Sequence, residues 1–255
     1  MAKPISVNII GSGNVATHLL REFLKHPEIH INQIFARKLQ NLKEFEGVAP
    51  MINDIDLLKP AEVTIISITD DAVSEFSKKL KNYRELVVHT SGSLDINDLQ
   101  TEQKGVFYPF QTFSKQNRNI NFKEIPILIE ATKKENLEVL QKLANIVSNN
   151  VLEINSQQRF QLHIAGVLVA NFVNHLYYQA DKLLKENDLS FDLLKPLIME
   201  TTRKVQSLSP ENAQTGPAKR NDKHIINKHL QAIEDKNLNE IYKLLTRSIE
   251  ETYKK

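Results

Sequence analysis

The chain has 255 residues and no cysteine, which removes disulfides, thiolate metal sites and a cysteine nucleophile together. Lys and Arg number 33 against 31 for Asp and Glu, so a net charge of +2 leaves no footprint for nucleic acid or an acidic membrane. An anionic ligand must be held locally. The length allows one large or two modest domains with ample core. With no signal-peptide pattern and no apolar run of bilayer length, a soluble cytoplasmic protein is expected.

The chain opens on an apolar run, a glycine turn and an amphipathic helix. Ile5, Val7, Ile9 and Ile10 suit a buried strand, while Ala16, Leu19, Leu20, Phe23 and Leu24 recur at helical spacing. Between them stands Gly11-Ser12-Gly13-Asn14-Val15-Ala16, a G-x-G-x-x-A sequence in the strand-to-helix context that a dinucleotide fingerprint requires. Gly11 permits the tight turn, Gly13 lets a pyrophosphate approach, and the small Ala16 lets helix and strand pack closely. The plain alternative is an ordinary turn with two glycines.

A second strand is expected over Ile29 to Ala36. In a dinucleotide fold the residue at its end chooses the cofactor, a carboxylate for the ribose of NAD or a cation for the 2′-phosphate of NADP. Ala36-Arg37-Lys38 stands there, and two adjacent cations without an acid favour NADP over solvated surface charges. Short helices are expected over Leu39 to Glu46 and Ile52 to Leu58, with a short strand over Gly47 to Met51 between them. Val63 to Ile68 reads as a central parallel strand. Its end, Ile68-Thr69-Asp70, is expected to line the cofactor crevice, although Asp70 or Asp71 is most simply a helix N-cap.

Leu86 to Thr90 is the next strand and runs into His89-Thr90-Ser91-Gly92-Ser93. That loop is able to bind an anionic or carbonyl group, or else to cap the short helix at Asp95 to Leu99. Gly105 to Phe110 reads as a strand whose aromatic and proline residues suit core and a rigid turn. A strand at Pro126 to Glu130, a helix at Lys133 to Ser148 and a strand at Val151 to Ile154 complete an alternating α/β region. Its sheet is expected to be mostly parallel and doubly wound, in a first domain over residues 1–155.

Residues 156–255 read as an all-α C-terminal domain. The longest helix is expected from Ser156, as N-cap, to Lys185, with Ile164 to Val173 apolar almost all round and buried in the molecule or in a dimer core. Against that background His163, Asn171 and Asn174 share one side at helical offsets. Further helices are expected over Asp192 to Leu208, Asp222 to Ile233 and Leu238 to Tyr253. The stretch Ser209 to Asn221 is a linker, or a loop delivering Arg220 to a carboxylate or phosphate. His224 and His229 lie five apart and no HExxH pattern occurs, so no metal site is expected.

GSGNVA, the DDA after VTIISI, HTSGS, YPFQTFS, RFQLHIAGVLVANFVNHL and TGPAKRND follow one another across nearly the whole chain. In that order and spacing they resemble a family assigned as NADP-dependent oxidoreductases, with an N-terminal Rossmann-like domain and a helical C-terminal domain of undefined function. More distantly the chain is similar to pyrroline-5-carboxylate reductase, the β-hydroxyacid dehydrogenases and the deazaflavin-dependent NADP oxidoreductases. The resemblance implies a homodimer through the helical domains and a site in the cleft between domains. It also implies that Gly11 to Ala16 hold the pyrophosphate and Arg37 the 2′-phosphate. Ser91, Gly92 and Ser93 fall where β-hydroxyacid dehydrogenases have a Ser-Gly-Gly substrate loop. Where those enzymes place a lysine and, four residues on, an asparagine, this chain has His163, Val167 and, at eight, Asn171.

The resulting expectation is hydride transfer between NADP(H) and a small carbonyl, imine or alcohol. His163 would be acid or base, Asn171 would orient, and Thr90 to Ser93, Asn174 and Arg220 would bind the substrate. His89 is grouped with the cofactor-lining residues. The alternative is a noncatalytic NADP-binding redox sensor or regulatory dimer.

Overall fold

The computed structural model describes residues 3–118 and 120–254. The chain divides into two compact units, one running through Ala170 and one from Asn171 onward.

The first unit is built on β1 (Ile5–Ile10), β2 (Ile29–Phe35), β3 (Met51–Ile52), β4 (Val63–Ile66), β5 (Leu86–His89), β6 (Lys104–Pro109), β7 (Ile127–Ala131) and β8 (Val151–Glu153). They form one sheet of order β3-β2-β1-β4-β5-β6-β7-β8. Every neighbouring pair is parallel except β6 with β7. The order reverses between β1 and β4, and at such a switch point the loops leaving the strands diverge and open a crevice.

Helices α1 (Asn14–Phe23), α2 (Asp70–Lys78) and α3 (Lys134–Val147) cover the sheet. Strand side chains alternate between faces, so Val7 and Ile9 pack with Leu19, Phe23 and Leu143 of α1 and α3, while Ile10 packs with Ile66 and Val73 on the α2 side. Both faces are therefore sealed, as a β-branched parallel sheet requires. The α/β reading of this region agrees with the structure, as do its long helices. The short helices after β2 are 3₁₀ turns, Leu39–Phe45 and Ile55–Leu57, and the short strand falls at Met51–Ile52.

Two N-caps differ from expectation. Thr69 stands at the start of α2 without a side-chain cap bond, and Asp70 and Asp71 lie inside its first turn. At the next long helix, α4 (Ser156–Gly166), the cap is Asn155: its Oδ1 accepts from Gln158 N at 2.9 Å and Gln158 Oε1 accepts from Asn155 N at 3.0 Å. Ser156 is thereby released for another partner.

Val167–Phe172 is π-helical, and α5 (Val173–Lys185) follows. Its i→i+5 bonding departs from the α-helical spacing that places His163, Asn171 and Asn174 on one side. Nor is this stretch buried within the chain: Leu168 and Val169 are 54% and 73% exposed.

The second unit is helical, with α5, α6 (Lys195–Ser207), α7 (Pro210–Ala213), α8 (Lys223–Ala232) and α9 (Lys236–Thr252). The stretch 209–221 is thus not all linker, since Ser209 caps α7. Lys182 of α5 pairs with Asp235, the N-cap of α9, at 2.6 Å. No helix among the described residues is long and apolar enough to cross a membrane.

Candidate functional site

Gly11 is held at φ +131°, in the region that favours glycine, and a Cβ there would lie 2.0 Å from the Ser67 carbonyl oxygen. The chain can turn at that point only because no side chain is present. Gly13 follows as the N-cap of α1, and a Cβ on it would meet nothing within 4 Å, so its surroundings are open. No side chain caps α1 and no acid lies in its first turn. Its first-turn N–H groups are therefore left for an anion or water, where the positive helix end favours the anion. Ala16 is fully buried against the sheet and forms no part of the crevice lining.

One face of α1 carries Asn14, His18 and Arg21, which reach three consecutive carbonyl oxygens. Asn14 Nδ2 donates to Phe113 O at 2.9 Å, His18 Nε2 lies 2.9 Å from Ser114 O, and Arg21 donates to Lys115 O at 3.3 Å. The segment after β6 is thus fastened along α1 beside the glycine turn.

The crevice beyond the turn has a volume of about 1430 Å³. At one end stand Ala36, Arg37 and Lys38, joined by Asn41 and by Lys79 from the end of α2. Arg37 and Lys38 are exposed and make no side-chain hydrogen bond or ion pair among the described residues. Two unpaired cations beside open helix amides fit the phosphates of a dinucleotide.

Toward the other end come Ser67, Ile68, Thr69 and Asp70 after β4, and Thr90, Ser91 and Gly92 after β5. Asp70 does not cap its helix: its carboxylate accepts from Ser91 Oγ at 2.9 Å and from Ser93 Oγ. Ser91 Oγ in turn accepts from the amides of Ser93 and Leu94 at 3.0 and 3.1 Å, which sets the loop. His89 lies beneath, fully buried, and Ser93 lies outside the lining. The ring Nδ1 of His89 accepts from Ser91 N at 3.1 Å. Burial, then the Arg159 charge, push His89 down to about 4, against the opposing pull of Asp70, so its imidazole is neutral near neutrality.

His163 of α4 reaches the same crevice, and its Nδ1 lies 3.2 Å from the Tyr108 hydroxyl. Burial and the Asp70 carboxylate raise the Tyr108 phenol above its ordinary range, with Arg159 opposing. The phenol therefore keeps its proton and can donate to the imidazole. Gly92 fits beneath the pair, since a Cβ there would lie 2.6 Å from His163 Nδ1 and 2.9 Å from Tyr108 Cζ.

The structure thus brings together Gly11 to Val15, Ala36 to Lys38, Ile68 to Asp70, Thr90 to Gly92 and His163. Asn171, Asn174 and Arg220 belong to the second unit, where all three are exposed. Tyr108 and Gln111 were not expected in the lining, because an aromatic-proline strand reads as core. The signal that could have found Tyr108 is its place at the carboxyl end of a strand. Among the described residues no group of three His, Asp or Glu could hold a metal ion.

A strand-turn-helix grip beside free cations, with a histidine-tyrosine pair in the same crevice, defines a Rossmann-type nucleotide-binding unit. Residues 125–249 match a domain of unknown function, DUF2520. A Bacteroides fragilis protein named "putative NADP oxidoreductase" is 40% identical, with 97% of this chain and 98% of that one covered, at a TM-score of 0.89. Protein TM1727 of Thermotoga maritima shares the fold at 21% identity, coverage of 97% and 98%, and a TM-score of 0.74. Pyrroline carboxylate reductase of Plasmodium falciparum, solved with NADP bound, shares it at 12% identity, coverage of 98% and 100%, and a TM-score of 0.63. None of the curated proteins matches the chain. The chain belongs to the family of Rossmann-like NADP oxidoreductases that carry DUF2520.

Proposed function

We propose that the protein is an NADP(H)-dependent oxidoreductase acting on a small carbonyl, imine or alcohol. The observation that carries this reading is the shared crevice: the Gly11–Gly13 turn, the unpaired Arg37 and Lys38, and the Tyr108–His163 pair all line it. When bound, the nicotinamide supplies or accepts the hydride. The α1 amides hold the pyrophosphate, and Arg37 with Lys38 hold the 2′-phosphate. Tyr108 donates to Nδ1, so the His163 proton sits on Nε2; in reduction Nε2–H gives that proton to the substrate oxygen or nitrogen as Nδ1 takes the Tyr108 proton, and in oxidation the same relay runs backwards. Thr90, Ser91 and Gly92 orient the substrate, with Asp70 locking the Ser91 hydroxyl.

NADPH oxidation with a panel of aldehydes, keto acids and cyclic imines tests this. Turnover of one class, lost in His163→Asn with NADPH affinity retained, is expected. Tight NADPH binding without turnover of any compound favours a redox sensor instead.

We also propose a homodimer. In the single chain Leu197 and Met199 are 63% and 68% exposed on the second unit, and on the first unit Leu168 and Val169 are bare as well; large apolar side chains left open in each unit favour association. Sedimentation should give a dimer, and Val169→Glu should weaken it.

A further inference from the structure

Arg159 is one of the largest fully enclosed side chains of the protein, a guanidinium only 1% exposed on the helix that presents His163. It donates to the Glu130 carboxylate, to the Leu94 carbonyl and, at 3.0 Å, to Ser156 Oγ. Ser156 Oγ donates to the same Glu130 carboxylate at 2.8 Å and accepts from Ile96 N at 2.9 Å. One knot therefore ties three segments: β7 through Glu130, the chain just after Ser93 through Leu94 and Ile96, and the first turn of α4.

Each tied segment carries or abuts a piece of the site. Glu130 pairs in register with Val106, two residues before Tyr108 on β6. Leu94 lies two residues after Gly92, on which the His163 ring rests. Arg159 lies four residues before His163, one turn down the same helix face.

Burying an ion pair is weak evidence for stability, since desolvation offsets much of the attraction and an apolar replacement is often as stable. The rigid planar fork of arginine suits a different role, holding several acceptors at set angles at once.

We infer that Arg159 is the positioning residue of the site, setting the Tyr108–His163 contact by fastening α4 to β7 and to the loop after Ser93. The inference rests on the reading of His163 as the proton-handling group. It concerns only the geometry of that group, so nucleotide binding lies outside its reach.

The test follows the His163 imidazole by long-range nitrogen-proton NMR, its signals assigned by their loss in His163→Asn. In the otherwise unchanged protein, Tyr108→Phe should shift the His163 Nδ1 resonance. In Arg159→Lys, which keeps the charge without the fork, that response should vanish, while NADPH affinity stays within about twofold as expected for separate sites. The double variant Glu130→Gln with Arg159→Met leaves no buried charge unpaired, so it serves if the single variant is poorly folded, and it should behave alike. A His163 response to Tyr108→Phe that persists in both Arg159 backgrounds overturns the inference. Failure of the unchanged protein to bind NADPH would sink the oxidoreductase reading and leave this measurement standing on its own.

Discussion

The Tyr108 hydroxyl and His163 Nδ1 sit 3.2 Å apart although 55 residues of chain separate them, and Gly92 lies against both rings. A methyl group at Gly92 would press on two side chains at once. Gly92→Ala should displace His163, and a displacement of about 1 Å is enough to cost roughly 100-fold in turnover. NADPH affinity should hold. Turnover and nucleotide titration of one preparation check both halves.

The two glycines of the turn should separate stability from binding. Gly11→Ala meets a backbone oxygen at 2.0 Å from a positive φ, so destabilisation of about 1–3 kcal/mol is expected in urea unfolding. Gly13→Ala adds a methyl to open space at an ordinary extended backbone, φ −76°, and should leave stability within about 0.5 kcal/mol. Its methyl would stand where a phosphate approaches, so NADPH affinity should fall in Gly13→Ala despite the intact fold.

Arg37→Ala should erase preference for the 2′-phosphate. A charge-assisted bond of about 1.5–3 kcal/mol corresponds to roughly 10- to 100-fold in affinity. Calorimetric titration should show NADPH weakened by that factor and NADH little changed.

His89 predicts an acid dependence of stability. Its folded pKa, about 4, lies below the unfolded value of about 6.5. Between those values the unfolded chain binds a proton that the folded chain refuses, so stability falls as pH drops from about 6.5 to about 4. The loss amounts to about 3 kcal/mol over the window, and it is absent above it. Urea unfolding at several pH values should show a shallower acid slope in His89→Asn than in the unchanged protein.

The opening strand, turn and helix are legible in the sequence because each is a local pattern within about twenty residues, and local periodicity decides it. Asp70 is different. As an acid at a helix start it reads as a cap, and only the fold brings β5 beside β4 and sets Ser91 and Ser93 against its carboxylate. Tyr108 reads as core for the same reason, since its partner arrives from α4. Arg159 carries no local mark, because an arginine on a helix is ordinarily a solvated one. The π-helical stretch at Val167–Phe172 is equally unmarked: five of its six residues are apolar, the sixth is Asn171, and no glycine or proline signals a change of bonding.

The reversal at β7 decides which way His163 travels. β6 ends at the crevice, and β8, aligned with β7, heads away from it, so the chain leaves the sheet at the far edge. α4 must then climb back: Ser156 to His163 is seven residues, about 10 Å of helix, against about 7 Å of strand from the level of Glu130 to that of Tyr108. Had the last two strands kept the direction of the rest, the sheet would have ended at the mouth, and the same helix would have carried the imidazole outward into water.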